Sequence, residues 1–203
     1  MYPKIKICGL LRQSDIDSVN SAKPDYIGFV FAESRLKITA IQAESLRKNL
    51  SSEITPVGIF VNESIDNIIS LAQNGIIDMI QLHGDEEEQY IEKIKSLIDT
   101  PILKGVSVLK VGDVQKWENS CANYLLFDSK GGASGQVFDW RLIGETQRDF
   151  FLAGGLTIKN IDSAIQTTNP FAVDMSSGVE TNGFKDEKKI QAIISRIRGE
   201  APL

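Results

Sequence analysis

Eight short apolar segments recur along the chain at nearly even spacing, and this repetition constrains the fold more than any other feature. The segments lack the alternation of apolar and polar side chains that marks a half-exposed sheet. We therefore expect strands that are buried on both faces, as in a parallel sheet covered by helices. The predicted strands span residues 4–9, 26–31, 56–61, 79–84, 101–108, 123–129, 150–155 and 171–178.

Helical patterns separate most of these strands. Ser14, Thr39, Ser64 and Thr157 each stand where an N-cap residue is expected. The predicted helices span residues 14–22, 39–50, 64–75, 85–98, 157–168 and 186–199. The stretch after the fifth strand, residues 109–122, is less regular, and residues 140–149 have room for only one short helix.

This alternation predicts an α/β protein, and eight units in 203 residues predict one (β/α)8 TIM barrel domain over residues 1–203. The helix after strand five is expected to be short or irregular. The alternative is an open doubly wound sheet. No G-x-G-x-x-G motif follows the first strand, which disfavours that alternative.

Composition excludes several classes of protein. A net charge of −5 with no basic patch argues against nucleic acid or an anionic membrane as a partner. We find neither an apolar run of membrane-spanning length nor a signal-peptide pattern, so we expect a cytoplasmic protein. Two distant cysteines and one histidine, with no CxxC motif, predict neither a disulfide framework nor a metal site.

In a barrel of this kind the chemistry lies at the carboxyl ends of the strands. Cys8, His83, Asp128 and Asp174 all stand at predicted strand ends. A buried carboxyl without a role is costly, so Asp128 is a strong functional candidate. With Cys8 it suggests an acid–base pair whose pKa values the site can tune. Cys121 lies outside any strand end and is interpreted as structural.

Small residues follow strands seven and eight, where barrels often bind phosphate. Backbone N–H groups in such turns can form an anion site. The predicted phosphate-binding residues are Gly154, Gly155, Ser176, Ser177 and Gly178. The alternative is that these glycines only permit tight turns between strands and helices.

Several motifs together resemble the phosphoribosylanthranilate isomerases of tryptophan biosynthesis. They are "KICGL", "GFVF", "QLHGDE", "LLFDS", "GASGQVFDW", "LAGGL" and "PFAVDMSSGVE", and they extend from Lys4 to about Lys189. The resemblance implies an Amadori rearrangement of N-(5-phosphoribosyl)anthranilate to 1-(2-carboxyphenylamino)-1-deoxyribulose 5-phosphate, without cofactor or metal. It also implies that Cys8 is the general base and Asp128 the general acid.

Further expectations depend on that resemblance. The glycine-rich loop at residues 130–140 is expected to cover Asp128 and raise its pKa, with Phe138 and Trp140 as anchors. His83 and Asp174 are expected to contact the substrate, Asp174 through a ribose hydroxyl. The small phosphorylated substrate is the expected partner, and the protein is expected to be a monomer or a homodimer.

One segment departs from the family pattern. The family usually has Ser-Lys/Arg-Arg after "GFVF", and its second basic residue binds the anthranilate carboxylate. Here the segment reads "AESRLKIT", so that position is Leu36. Arg35 is the favoured replacement over Lys37, because a guanidinium makes a better fork-like contact with a carboxylate.

Three alternative interpretations of the function remain. Indole-3-glycerol-phosphate synthase would call for a catalytic lysine at a strand end. The aminoimidazole carboxamide ribotide isomerase of histidine biosynthesis would typically have an aspartate where this chain has Cys8. A non-enzymatic binder of phosphorylated metabolites would use Cys8 only for packing.

Overall fold

A computed structural model describes residues 2–129 and 137–200 of the chain. Eight parallel strands pair in chain order, and the eighth pairs with the first, so the sheet closes into a barrel. The predicted (β/α)8 fold is therefore confirmed. The strands are β1 (Lys4–Cys8), β2 (Tyr26–Val30), β3 (Thr55–Phe60), β4 (Met79–Leu82), β5 (Ile102–Ser107), β6 (Tyr124–Asp128), β7 (Phe150–Leu152) and β8 (Ala172–Met175).

Six α-helices lie in the described part of the chain. They are α1 (Gln13–Ala22), α2 (Ala40–Arg47), α3 (Ile65–Gln73), α4 (Glu88–Lys95), α5 (Ile161–Thr168) and α6 (Glu187–Arg198). The predicted N-caps Thr39 and Ser64 are confirmed, since each side chain accepts a backbone N–H of the first turn.

Two predicted N-cap residues are wrong, and α4 begins at Glu88 rather than at residue 85. The N-cap of α1 is Arg12 rather than Ser14, because the Asp15 carboxylate inside the first turn accepts the N–H groups of Leu11 and Arg12. The N-cap of α5 is Asn160 rather than Thr157. Its side-chain oxygen accepts the Thr157 N–H at 2.7 Å, which holds residues 157–160 in a turn before the helix.

The helical segments on either side of β6 are short, as expected. A 3-10 turn at Gln115–Trp117 lies between β5 and β6, and another at Trp140–Ile143 precedes β7. Phe138 and Trp140 pack against the core. The predicted loop over Asp128 falls largely on residues 130–136, which lie outside the described residues.

A small hairpin between β8 and α6 was not predicted. Its strands are β9 (Glu180–Thr181) and β10 (Phe184–Lys185), paired antiparallel. Asn182 and Gly183 form the turn with φ of 53° and 81°, the conformation that an Asn-Gly pair favours in a two-residue hairpin. That dipeptide was the available signal in the sequence.

Buried apolar side chains of the described residues form three clusters, and two of them support the barrel. The larger one joins outward strand residues such as Ile5 and Ile7 to the apolar faces of the helices, for example Ile94 and Ile193. The second contains strand residues such as Leu126 and Phe151, with no helix residue, and it fills the barrel interior. In the described residues, no helix combines the length and apolar character that a membrane span requires.

Candidate active site

A cavity of about 250 Å³ opens at the carboxyl ends of the strands. All but one of the predicted site residues line it. They are Cys8, Arg35, His83, Asp128, Gly154, Gly155, Asp174, Ser176 and Ser177. Gly178 is the exception. Its backbone lies against Leu156, where an added Cβ would come within 1.9 Å of the Leu156 carbonyl oxygen. Gly178 thus allows the loops after β7 and β8 to pack together.

Cys8 ends β1 as a free thiol. Gly28 on the neighbouring strand gives the sulfur its room, since a Cβ there would lie 2.8 Å from Cys8 Sγ. Burial raises the pKa of the Cys8 thiol, and the ammonium of Lys6 opposes part of that rise. Lys6 stands two residues earlier on β1, on the same face of the strand.

Asp128 ends β6 and its carboxyl group is buried. Ser129 N–H donates to Asp128 Oδ1 at 2.7 Å, and His83 Nε2 lies 3.7 Å from Asp128 Oδ2. Burial raises the pKa of Asp128 to about 6, even though the hydrogen bond from Ser129 opposes the rise. A carboxyl group with this pKa can carry a proton close to neutral pH.

His83 follows β4 and points into the cavity. Its Nδ1 lies 2.9 Å from Gln81 Nε2. Burial, and then the charge of Lys6, lower the pKa of His83, so the ring is neutral at pH 7. Gly105 on β5 leaves space for the ring, because a Cβ there would lie 2.7 Å from His83 Nδ1.

A buried polar cluster beneath the cavity was missed by the sequence analysis. Lys6 Nζ donates to Asp174 Oδ2 at 2.7 Å and to Gln81 Oε1 at 2.9 Å. Burial alone would lower the pKa of Lys6, but the charges of Asp174 and Cys8 and the hydrogen bonds to them together outweigh burial and raise that pKa. Asp174 Oδ1 is buried and has no hydrogen-bond partner among the described residues. Because Asp174 lines the cavity, this oxygen is an acceptor suited to a ligand hydroxyl.

The loops after β7 and β8 present small residues to one side of the cavity. Gly154 and Gly155 have φ of 89° and 62°, a left-handed conformation that a side chain would disfavour. Ser176 is held from below by Lys185, whose Nζ lies 3.3 Å from both Ser176 Oγ and the Ser176 carbonyl oxygen. A phosphate at this position would meet backbone N–H groups and a nearby ammonium.

The segment that departs from the family pattern contacts the hairpin through Arg35. Arg35 donates to the Gly183 carbonyl at 2.9 Å and to Glu180 Oε2 at 2.5 Å. Leu36 is buried and packs against Gly9. Gly9 has a left-handed backbone, and a Cβ on this residue would lie 2.5 Å from the Leu36 side chain. Lys37 pairs with Glu33. Of these three consecutive residues, Arg35 is the cation that lines the cavity.

The barrel and its cavity define a class of protein, the (β/α)8-barrel enzymes that carry acid–base groups at the carboxyl ends of their strands. Residues 5–196 match the family model described as N-(5'phosphoribosyl)anthranilate (PRA) isomerase. The chain belongs to this family of isomerases.

Individual relatives agree over almost the whole chain. It is 47% identical to N-(5'-phosphoribosyl)anthranilate isomerase of Endomicrobium trichonymphae, with 97% of this chain and 98% of that protein covered. It is 43% identical to the enzyme of the same name from Clostridium acetobutylicum, with 96% and 98% covered.

A crystal structure of the Thermotoga maritima phosphoribosyl anthranilate isomerase superposes with a TM-score of 0.88 at 33% identity, covering 97% and 99% of the two chains. A phosphoribosyl anthranilate isomerase in complex with reduced 1-(o-carboxyphenylamino)-1-deoxyribulose 5-phosphate has a TM-score of 0.86 at 33% identity, with the same coverage.

Proposed function

We propose that Cys8 and Asp128 carry out in this chain the isomerisation for which its family is named. The reaction converts N-(5-phosphoribosyl)anthranilate to 1-(2-carboxyphenylamino)-1-deoxyribulose 5-phosphate, a step of tryptophan biosynthesis. The observation that carries the assignment of these two residues is that a thiol and a buried carboxyl with a pKa of about 6 line one cavity.

Asp128 is the general acid. It protonates the furanose ring oxygen, the bond from that oxygen to C1′ breaks, and a protonated Schiff base forms on the anthranilate nitrogen. Cys8, as the thiolate, then removes the proton from C2′, and the electrons of that C–H bond neutralise the iminium nitrogen. The enolamine that results tautomerises to the ketone. Acid and base act from β6 and β1 on a ligand held between them.

The two pKa values set the fraction of active enzyme. The productive pair is protonated Asp128 with ionised Cys8, yet burial raises the pKa of both groups. At pH 7, which lies above the pKa of Asp128 and below that of Cys8, the major form of the free enzyme has a carboxylate and a thiol. Lys6 opposes part of the rise in the pKa of Cys8, which reduces the difference between the pKa values of Cys8 and Asp128. The pH profile of kcat/KM should be bell-shaped and should report the pair rather than either residue alone.

The substrate phosphate binds between the loops after β7 and β8. The left-handed backbone at Gly154 and Gly155 and the hydroxyl groups of Ser176 and Ser177 support this assignment. Gly178 contributes by letting the two loops approach each other. Asp174 Oδ1 accepts a ribose hydroxyl, which supplies its missing hydrogen-bond partner.

The anthranilate carboxylate binds Arg35. The guanidinium already stands at the cavity, held by Glu180 and the Gly183 carbonyl from the hairpin. Those two contacts hold it in place, and its remaining N–H groups are available for a carboxylate. Lys37 is turned to Glu33 instead.

Turnover of freshly prepared N-(5-phosphoribosyl)anthranilate, followed by its fluorescence, tests the assignment. Cys8→Ser and Asp128→Asn should each abolish turnover while product still binds, and Cys121→Ser is the matched control that should retain activity. Wild-type turnover in either active-site variant would remove the acid–base assignment.

The carboxylate contact has its own test. Arg35→Ala should raise KM far more than Lys37→Ala does, because only Arg35 lines the cavity. The reverse order would assign the carboxylate to Lys37.

A further inference from the structure

A chain of side chains crosses the base of the cavity from β1 to β6. Lys6 Nζ donates to Gln81 Oε1 at 2.9 Å. Gln81 Nε2 lies 2.9 Å from His83 Nδ1. His83 Nε2 then lies 3.7 Å from Asp128 Oδ2. Gln81 and His83 reach the same face because they stand two positions apart where β4 ends.

The direction of each hydrogen bond in this chain follows from chemistry. A lysine ammonium has only hydrogens to offer, so the oxygen of the Gln81 amide must face Lys6. The nitrogen of that amide, which also has only hydrogens, is then left to face His83. The neutral ring must therefore accept at Nδ1, and its own proton must lie on Nε2.

We propose that Gln81, held by Lys6, is a positioning residue that fixes His83 as the Nε2–H tautomer and directs this N–H to the Asp128 carboxyl. The consequence for catalysis rests on the proposed function. When Asp128 gives its proton to the substrate, the new carboxylate receives a hydrogen bond from His83. The separation of 3.7 Å is longer than a hydrogen bond, so the two side chains must approach each other when this bond forms.

The charged groups around His83 do not take over the role of Gln81 in fixing the tautomer. Lys6, Asp174, Lys104 and Glu86 all act on the ring through space. Within residues 2–129 and 137–200, the hydrogen bond of the His83 ring is the one to Gln81. Gly105 on β5 leaves the space that the His83 ring occupies, since any side chain at this position would displace Nδ1.

The tautomer can be read directly, because His83 is the only histidine in the chain. Protein labelled with 15N-histidine gives one ring, and protonated and unprotonated ring nitrogens differ widely in 15N chemical shift. At pH 8 we expect wild-type Nε2 to be protonated and Nδ1 to be unprotonated. A protonated Nδ1 in the wild type overturns the proposal, and this result requires no variant and no turnover.

Gln81→Glu tests the role of the amide. A carboxylate has the same shape and still accepts from Lys6, but it offers His83 an acceptor in place of a donor. Nδ1 should therefore become protonated, either in the Nδ1–H tautomer or in the imidazolium. An unprotonated Nδ1 in this variant contradicts the proposal. Gln73→Glu makes the same change on an exposed residue of α3 and should leave the ring signals unchanged.

Kinetics complete the test. The Nδ1–H tautomer would lose the hydrogen bond to the Asp128 carboxylate, and an imidazolium would hold Asp128 ionised before it can act as the acid. Either change should lower kcat of Gln81→Glu about 10- to 100-fold, with KM changed less than about threefold. A smaller fall in kcat would contradict the link to catalysis even if the tautomer changes as expected. If Cys8→Ser or Asp128→Asn retained activity, the proposed function would fail while the tautomer result stood on its own.

Discussion

Asp128→Asn should stabilise the protein at neutral pH even though it should abolish catalysis. Burial raises the pKa of Asp128 from 3.8 to about 6, so the folded state resists ionising this carboxyl. The shift of about two pKa units corresponds to about 3 kcal/mol at pH well above 6. Asparagine is neutral at every pH, and its oxygen can still accept the N–H of Ser129.

The sign of the pH dependence is specific. Below about pH 4 the carboxyl is protonated in both states and contributes nothing. Between about pH 4 and 6 the folded state keeps a proton that the unfolded chain releases, so wild-type stability falls as the pH rises through this window. Above pH 6 the loss is complete. The advantage of Asp128→Asn should therefore grow by about 3 kcal/mol between pH 4 and pH 8.

Urea unfolding of both proteins at several pH values measures this difference, because the other titrating groups cancel between them. Thermal unfolding should show the same trend, with the gap in Tm widening by roughly 6–12 °C for a chain of this size. Asp99→Asn, at an exposed carboxylate, is the matched control and should show no such growth. A difference between wild type and Asp128→Asn that stays constant across pH would refute the reasoning.

Two other substitutions test the buried groups around the site. Lys104→Met should lower the free energy of unfolding by about 3–5 kcal/mol at pH 7, because it leaves the Glu86 carboxylate buried without its cation. Urea unfolding checks it, and Lys104→Met with Glu86→Gln should recover much of the loss. Gly105→Ala should displace the His83 ring and lower kcat, at a cost of about 1–3 kcal/mol in stability. A wild-type kcat together with an unchanged 15N signal would contradict that prediction.

The barrel could be predicted because its signal repeats eight times. Each strand is a local run of apolar residues, and a closed parallel sheet brings all of their carboxyl ends to one rim. Cys8 and Asp128 could therefore be placed on one cavity without coordinates. The first residues of α1 and α5 were harder to predict. The side chains of Asp15 and Asn160 accept backbone N–H groups just before these helices, and these hydrogen bonds change where each helix begins.

The cluster around Lys6 could not be predicted by examining strand ends alone. Lys6 and Gln81 stand two residues before Cys8 and His83, so they face the same side one layer deeper in the barrel. The hydrogen bond between them joins residues 75 positions apart in the chain. A charged residue within an apolar strand was the available signal, since a buried ammonium requires a partner.

The position of Arg35 depends on contacts with residues that are even farther away in the sequence. Its partner Glu180 is 145 residues away, in a hairpin that the strand pattern did not predict. The sequence therefore favoured Arg35 on chemical grounds alone, through the match between a guanidinium and a carboxylate. What fixes that guanidinium at the cavity is the Asn-Gly turn, which folds Glu180 and the Gly183 carbonyl toward it.

Two buried carboxyl groups near the barrel rim have opposite pKa shifts, and the difference indicates their roles. Glu86 is desolvated like Asp128, yet its pKa is lowered. Together with the N–H of Asn62, the hydrogen bond and charge of Lys104, whose Nζ lies 2.8 Å away, outweigh desolvation. Asp128 has a neutral His83 at 3.7 Å in place of a paired lysine, and its pKa is raised. A buried carboxyl group that is paired with a cation stays ionised and can hold loops together. A buried carboxyl group without a paired cation can keep a proton near neutral pH and donate it. A lysine placed beside Asp128 would lower the pKa of its carboxyl group and so remove the proposed general acid.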